Sequence, residues 1–256
     1  PDDPTDDTGS WEKVPDEEGG TLIDFVVDET TGVEFVDIDG DGDDDIVVTT
    51  EDGKPSVVYE NKDGRFPDPP TPIGSETYDA QDVAVVDING DGAVDFVIGN
   101  SDGPDLIYYG WGDQPAVKHW WDPSANPDGV FMVEIPGSED SVTSSVTVGD
   151  LDGDGDVDIL TGSNGGPNTA YIGYTTTSGP KSPPGDNPTW FAETPLGTPT
   201  SSDATQDVEM VDVDGDDIPD VVIGNVGGPD YVYLSNGKDL TAEDLEGPPD
   251  AQIGDE

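Results

Sequence analysis

The stretch DIDGDGDDD, residues 37–45, decides the fold, because three further stretches of the chain repeat its pattern. These are DINGDGAVD at 87–95, DLDGDGDVD at 150–158 and DVDGDDIPD at 212–220. Every copy has Asp at its first, fifth and ninth positions, Asp or Asn at its third and Gly at its fourth. Self-similarity of this kind is the signature of a repeat architecture.

Apolar, alternating runs flank each copy. VEFV, VAVV, VTVG and VEMV precede the four copies, and IVVTT, FVIGN, ILTGS and VVIGN follow them. This alternation predicts strands, so each acidic stretch is expected to be the loop of a β-hairpin. A turn rich in Gly and Pro comes next, and a third strand is predicted after it from VVYE, LIYYG, AYIGY and YVYL.

A fourth strand in each repeat completes the predicted architecture. It is expected in RFPDPPTPIG at 65–74, VFMVEIPG at 130–137 and TWFAETPLG at 189–197. The last repeat has no such segment after it, but SWEKVPDEEGG at 10–20 matches at the other end of the chain. The sequence therefore predicts an all-β fold, a β-propeller of four four-stranded blades closed by the N-terminal strand. The expected division is an acidic linker at 1–9, the propeller at 10–238 and an acidic C-terminal tail at 239–256.

The acidic stretches have the composition of a cation site. Carboxylates at alternate positions gather hard oxygens around one point, and the glycines let the chain turn sharply. Oxygen ligands without imidazole or thiolate favour calcium, so each hairpin loop is predicted to bind Ca²⁺. The seventh residue would add its backbone carbonyl, which makes main-chain ligands of Asp43, Ala93, Asp156 and Ile218. An EF-hand is excluded, because the flanks are strands and Val48 stands where that loop needs a bidentate Glu.

The loops and the strands that follow them resemble FG-GAP and VCBS repeats. These are the calcium-loop blades of integrin-α-type propellers and of many secreted microbial proteins. The resemblance implies about four calcium ions, one per loop. The ligands that it implies are Asp37, Asp39, Asp41 and Asp45; Asp87, Asn89, Asp91 and Asp95; Asp150, Asp152, Asp154 and Asp158; and Asp212, Asp214, Asp216 and Asp220. Asn89 replaces an acid and Asp217 replaces the second Gly, so the second and fourth loops are expected to differ.

The charge balance excludes several classes of partner. The chain has 60 Asp and Glu against 7 Lys and Arg, which gives a formal net charge of -53. Nucleic acids and anionic membrane surfaces are excluded, because binding to phosphate needs basic residues. Molar salt screens such repulsion to about 3 Å, so we interpret the composition as that of a halophile, of haloarchaeal type. No stretch is long and apolar enough for membrane insertion.

A cluster of aromatic residues precedes the predicted fourth strand of the second repeat. It comprises Trp111, Trp120, Trp121 and His119, the only His of the chain. Stacked tryptophans bind sugar rings in many proteins, so these residues are a candidate ligand site. Alternatively, they cover the outer edge of the blade.

No catalytic fingerprint is present, since GxSxG, HExxH, Walker and dinucleotide motifs are all missing. The leading hypothesis is a non-enzymatic, extracellular, calcium-binding propeller of a halophile. It would act as an adhesion, cell-surface or appendage module and bind protein or glycan at a cell or particle surface. One alternative is a carbohydrate-binding module or a polysaccharide lyase-like enzyme. The other is a virion or filament subunit, a homo-oligomer in which protomers exchange strands.

Overall fold

The computed structural model describes residues 29–66, 69–110, 132–173, 191–196, 204–235, 240 and 248–253. Secondary structure within these ranges consists of sixteen β-strands and contains no helix. The all-β prediction is therefore confirmed for the part of the chain that is described. Within that part, no helix is both long and apolar enough to span a lipid bilayer.

The strands form four antiparallel sheets, each built from four strands that are consecutive in the chain. Sheet 1 contains β1 (Thr30–Val36), β2 (Asp45–Thr50), β3 (Val57–Tyr59) and β4 (Thr71–Pro72). Sheet 2 contains β5 (Ala80–Val86), β6 (Asp95–Asn100), β7 (Leu106–Tyr108) and β8 (Met132–Glu134). Sheet 3 contains β9 (Thr143–Gly149), β10 (Asp158–Ser163), β11 (Thr169–Gly173) and β12 (Phe191–Pro195). Sheet 4 contains β13 (Ala204–Val211), β14 (Asp220–Val226), β15 (Asp230–Tyr233) and β16 (Ala251–Ile253).

The acidic stretches join the first and second strands of each sheet, as the sequence predicts. The first strand ends opposite the ninth residue of the stretch in every sheet. These pairs are Val36 with Asp45, Val86 with Asp95, Gly149 with Asp158 and Val211 with Asp220. The four hairpins therefore share one register.

The second turn of the sheet also has a repeated construction. Asp105 Oδ1 accepts a hydrogen bond of 2.8 Å from the backbone N–H of Asn100, which lies at the other end of the turn. Asn168 does the same for Ser163, and Asp230 does the same for Asn225. An acceptor five residues on closes a turn whose backbone N–H would otherwise lack a partner.

Apolar clusters lie between successive sheets and form the core. Val47 and Val58 of sheet 1 pack with Val83 and Phe96 of sheet 2, and equivalent clusters join sheet 2 to sheet 3 and sheet 3 to sheet 4. The second strands β2, β6 and β10 are buried along their whole length. Strands covered on both faces can be apolar on both faces, which explains runs such as IVV and FVI.

The strand at the outer edge of sheet 4 differs from the strand that the sequence predicts there. β16, from the segment expected to be a C-terminal tail, pairs with β15 through Val232–Ala251 and Asp230–Ile253. The segment 10–20, predicted to fill that position, lies outside the described residues, and the position itself is occupied by β16. The prediction of the N-terminal strand at this edge is therefore wrong. The three-residue strand Ala251–Ile253 is too short to show an alternating pattern in the sequence.

The first strands of the sheets surround a cavity of about 280 Å³. β1, β5, β9 and β13 all contribute to its wall. Four of the lining residues are acids, namely Glu34, Asp82, Asp207 and Glu209. Four sheets arranged around a shared central cavity give the protein a propeller-like architecture.

Candidate metal-binding loops

Each acidic loop owes its shape to left-handed backbone positions at its fourth and sixth residues. Gly40 and Gly42 have φ angles of 73° and 97°, and the glycines of the second and third loops are similar. Residues with a Cβ atom rarely adopt such angles. In the fourth loop the sixth residue is Asp217, which adopts a φ angle of 69°. The loop therefore keeps its conformation where the sequence departs from glycine.

The first Asp of the loop holds the turn together. Asp37 Oδ1 accepts a hydrogen bond of 3.0 Å from the backbone N–H of Asp41, and Asp37 Oδ2 accepts one of 3.0 Å from that of Gly42. Asp87 and Asp212 make the same two contacts in their loops. The carboxylate at this position is thereby fixed toward the loop interior, where a cation would sit.

The ninth Asp clamps the loop to the third strand of its sheet. Asp45 Oδ2 accepts a hydrogen bond of 3.0 Å from Ile38 N–H, and Asp45 Oδ1 accepts one of 2.7 Å from Asn61 N–H. Asp95, Asp158 and Asp220 make equivalent pairs of bonds in the other loops. These four carboxylates are at most 1% exposed. The ninth residue therefore has a structural role whether or not a metal is bound.

Burial sets the electrostatics of these clamps. It raises the pKa of Asp95 and of Asp158 to about 7, although the backbone N–H groups that donate to each carboxylate act in the opposite direction. The exposed Asp212 differs, because hydrogen bonds from the backbone N–H groups of Asp217 and Gly215 lower its pKa. A nearby divalent cation would stabilise the charged form of every one of these groups.

Carboxylate oxygens converge in three of the loops. In the first loop the converging residues are Asp37, Asp39 and Asp41; in the third, Asp150, Asp152 and Asp158; and in the fourth, Asp212, Asp214 and Asp220. Within each group, one oxygen from each residue lies within 4.8 Å of the others. Asp150 Oδ1 is buried and has no hydrogen-bond partner. A buried anionic oxygen without a donor is unfavourable unless a cation compensates it.

The donor set fits calcium. Several carboxylates around one point supply the hard oxygens that Ca²⁺ prefers, and an irregular loop suits its flexible coordination. In the second loop Asn89 holds the third position, where its Oδ1 accepts from Asp91 N–H at 2.9 Å and its amide donates to Asp91 Oδ2 at 3.3 Å. This loop has the backbone hydrogen bonds of the first loop, with one acid fewer among the side chains at its first, third, fifth and ninth positions. If it binds a metal, the ligand set is less charged.

Two further groups of site residues were predicted, namely the seventh residues of the loops and a cluster of aromatic residues. The carbonyl ligands proposed at the seventh position, Asp43, Ala93, Asp156 and Ile218, lie in loops of the expected shape, and their ligation remains a prediction. Each of them donates its N–H to the Asp at the fifth position. Trp111, His119, Trp120 and Trp121 lie outside the described residues, so the aromatic ligand site also remains a prediction.

The acids of the central cavity were not identified from the sequence. Glu34 and Glu209 stand three places before the first Asp of their loops, and Asp82 and Asp207 stand five places before it. The available signal was an acid repeated at each of these two places in two of the first strands. Burial raises the pKa of Glu34, Asp82 and Glu209, and the neighbouring carboxylates raise it further.

Comparison with known proteins identifies the repeat. The model of an FG-GAP-like repeat matches residues 7–98, and that of an FG-GAP repeat matches residues 142–177. The two ranges together span half of the chain. No curated protein matches the chain significantly.

Solved structures resemble the chain at low sequence identity. The Vibrio cholerae biofilm matrix protein Bap1 is 18% identical, with a TM-score of 0.46 over 81% of this chain. An Agrocybe aegerita lectin that recognises non-reducing terminal N-acetylglucosamine is 20% identical, with a TM-score of 0.45 over 80% of this chain. The chain spans 27% of the length of the first protein and 49% of the second.

The first family match includes the complete acidic loops at 37–45 and 87–95, and the second includes the one at 150–158. All four sheets share the order and register in which these loops are set. The chain is therefore an FG-GAP repeat protein.

Proposed function

We propose that this chain is a calcium-stabilised FG-GAP scaffold that acts outside the cell as an adhesion, cell-surface or appendage module and has no catalytic activity. The observation that carries the proposal is the convergence of carboxylates in loops of one shape, with an unpaired, buried oxygen on Asp150. Repeated cation loops between the strands of rigid sheets suit a scaffold that presents a binding surface.

A structural role for calcium follows from the charges of the loops. The first loop alone contains six Asp residues within nine positions, and backbone N–H groups donate hydrogen bonds to Asp37 and Asp41. Like charges at this density oppose the folded state. A divalent cation that binds only the folded loop stabilises it by mass action.

The exposure of the loops supports a location outside the cell. Asp41, Asp154 and Asp214 are exposed, so a bound ion would remain in contact with water. Open calcium sites of extracellular modules bind in the range of about 10⁻⁴ to 10⁻³ M. Free calcium reaches this range outside cells. The net charge of -53 supports in addition a medium of high ionic strength.

Calcium titration tests the proposal directly. The purified chain, stripped with a chelator in molar sodium chloride, is titrated with Ca²⁺ while heat and thermal unfolding are measured. We expect about four ions per chain and a melting temperature that rises by at least several degrees at saturation. The absence of both binding and any shift in melting temperature would contradict the proposal.

A matched pair of variants in the first loop adds a control. Asp41→Asn removes one charge from the converging set, whereas Asp44→Asn removes one from the neighbouring eighth position, which lies outside that set. Loss of one calcium ion is expected for Asp41→Asn and full stoichiometry for Asp44→Asn. Equal effects of the two substitutions would show that the loop attracts cations only through its general charge.

The surface role has its own test. The calcium-loaded protein is expected to bind a glycan array or isolated cell envelopes in molar salt, with binding lost on chelation. Incubation with a panel of polysaccharides is expected to release no product. Turnover of any of them would refute the non-enzymatic part of the proposal and leave the calcium sites untouched.

A further inference from the structure

The three boundaries between successive sheets use the same positions. We define the incoming face of a sheet as the face toward the preceding sheet in the chain. This face presents the residues four and two places before the first loop Asp. They are Val83 and Val85 in sheet 2, Val146 and Val148 in sheet 3, and Val208 and Met210 in sheet 4. Each pair packs against apolar residues of the sheet before it.

Sheet 1 has the same incoming face, and nothing comparable among the described residues packs on its inner part. The corresponding residues are Val33 and Phe35, which are 42% and 61% exposed. Val83, Val146 and Val208 are only 1%, 6% and 1% exposed. The partners of Val33 and Phe35 on β2, Val48 and Ile46, are buried, so the open part of this face is its inner edge beside the cavity.

The face of sheet 4 that points away from sheet 3 matches the faces on which the incoming faces of other sheets pack. The outgoing face, toward the next sheet, uses the residue one place before the first loop Asp. At the boundary of sheets 3 and 4 this residue is Gly149, and a Cβ atom built on it would lie 3.9 Å from the Cβ atom of Met210. The equivalent residue of sheet 4 is Val211, which is 47% exposed.

These two faces also carry a hydrogen-bond donor and a hydrogen-bond acceptor at the positions that are paired at other boundaries. At two boundaries the side chain five places before the first loop Asp accepts from a backbone N–H of the next sheet. Asp82 accepts from Val146 N–H at 2.9 Å, and Ser145 accepts from Val208 N–H at 3.3 Å. In sheet 4 the acceptor position is held by Asp207, and in sheet 1 the donor position is held by Val33. Val33 pairs with β2 in the register that Val146 and Val208 have with their own neighbours.

We propose that the inner edges of these two faces pack on each other within one chain, with Phe35 against Val211 and Val33 N–H donating to Asp207. Strands β1 and β13 border one gap, because residues of both line the same central cavity. A second copy is a less favourable occupant, since every added chain brings a net charge of -53. This inference concerns how the four sheets are held together, and it is independent of the proposed calcium function.

The acids of the cavity oppose this contact. Glu34 of β1 lines the cavity beside this contact together with Asp207 and Glu209 of β13, so their repulsion opposes the approach of the two strands. Salt screens this repulsion and leaves the apolar contact in place. Packing of the two faces is therefore expected to strengthen as the salt concentration rises.

Engineered disulfides test the proposal, because the chain contains no Cys. The test variant combines Phe35→Cys with Val211→Cys, two exposed positions where substitution does not disturb the core. The positive control combines Gly149→Cys with Met210→Cys, whose Cβ separation of 3.9 Å suits a disulfide. Both full-length variants are oxidised in molar salt at low protein concentration, and monomer and dimer are separated before free thiols are counted.

An intramolecular disulfide in the test variant, in a yield similar to that of the control, is expected. Disulfide-linked dimers alone would assign the face to a second copy and overturn the proposal. A control that closes while the test variant keeps both thiols would overturn it as well. A third variant, Phe25→Cys with Val211→Cys, should not cross-link, and efficient cross-linking there would assign the face to the chain preceding β1 instead.

Discussion

Asp217 takes a left-handed backbone conformation that Gly takes at the same place in the other three loops. A residue with a Cβ atom is destabilised there by about 1 kcal/mol relative to Gly. We therefore expect Asp217→Gly to raise the free energy of unfolding by about 0.5–1 kcal/mol. Urea denaturation in molar salt, with calcium held constant, measures the change.

The third loop supplies the reverse substitution. Gly155 has a φ angle of 88° and occupies the position that corresponds to Asp217. Gly155→Asp is expected to lower the free energy of unfolding by a similar amount. If both substitutions shift stability in the same direction, backbone conformation does not explain the difference between the loops.

Asp105 lies outside the acidic loops and makes the stability of the protein depend on pH. Burial raises its pKa from 3.8 to about 7, although Asn100 N–H and the hydroxyls of Thr143 and Ser141 donate to it. Between these two values the folded chain keeps a proton that the unfolded chain releases. The contribution of Asp105 to the free energy of unfolding therefore falls as pH rises from about 4 to about 7 and is constant above pH 7. The total fall is about 1.4 kcal/mol for each unit of difference between the two pKa values.

Asp105→Asn is expected to remove this contribution. The variant should gain stability relative to the original chain as pH rises, and the difference should level off above pH 7. Denaturation at a series of pH values measures it. The third sheet offers a control, because Asn168 closes the same turn as a neutral amide. Asn168→Asp should introduce the pH dependence that Asp105→Asn removes, and two flat difference curves would refute the assignment.

At the residue scale, the loop acids were predictable and the cavity acids were not. Four copies of one spacing separate Asp37 and its equivalents from an excess of acids elsewhere. Glu34 and Asp207, in contrast, come from strands far apart in the chain, so their proximity depends on how the sheets are arranged. The clamp function of Asp45 was also hidden, because a ligand and a hydrogen-bond acceptor have the same sequence signature.

At the scale of elements, the short strand β16 is the least expected part of the fold. It completes sheet 4 through β15, and Asp250 supports it by accepting from Leu234 N–H at 2.9 Å. Deletion of residues 248–256 would expose the edge of β15 and is expected to lower the free energy of unfolding by about 2 kcal/mol. Thermal and urea denaturation of the shortened chain measure the loss.

Deletion of residues 1–9 is the control, since that segment is predicted to be a linker. It should leave the free energy of unfolding unchanged. A larger loss from the N-terminal deletion than from the C-terminal one would contradict the assignment of β16 to the edge of sheet 4.

The first three strands of each sheet, and their order, could be predicted from the sequence. The acidic loop defines the hairpin of the first and second strands, and the turn rich in Gly and Pro defines the hairpin of the second and third. The fourth strands were harder. β4 has two residues and β8 has three, so periodicity carries little information there. The last edge was assigned to the wrong end of the chain, since residues 10–20 match the other fourth-strand segments, whereas the three residues of β16 show no pattern.

At the scale of the whole molecule, charge makes stability depend on salt. The net charge of -53 opposes compaction, and the cavity places carboxylates of β1, β5 and β13 near one another. We expect the melting temperature of the calcium-free chain to rise steadily from about 0.1 M to about 3 M sodium chloride, as the screening length falls from about 10 Å to a few ångströms.

A neutralised cavity provides the control for this prediction. The double variant Glu34→Gln and Glu209→Gln removes two of its charges at nearly constant volume. Its melting temperature should exceed that of the original chain at low salt and converge with it at high salt. A parallel increase in both proteins would place the origin of the salt dependence elsewhere.

The sequential order of strands within every sheet also bears on how the protein reaches its native state. Each sheet is one continuous piece of chain, so most of its pairings join residues that are near neighbours along the polypeptide. Closing short loops costs little entropy, which favours rapid formation of each sheet once its own stretch of chain is available. A chain that emerges progressively from the ribosome could thus assemble sheet by sheet, each finished unit offering an apolar surface to the next.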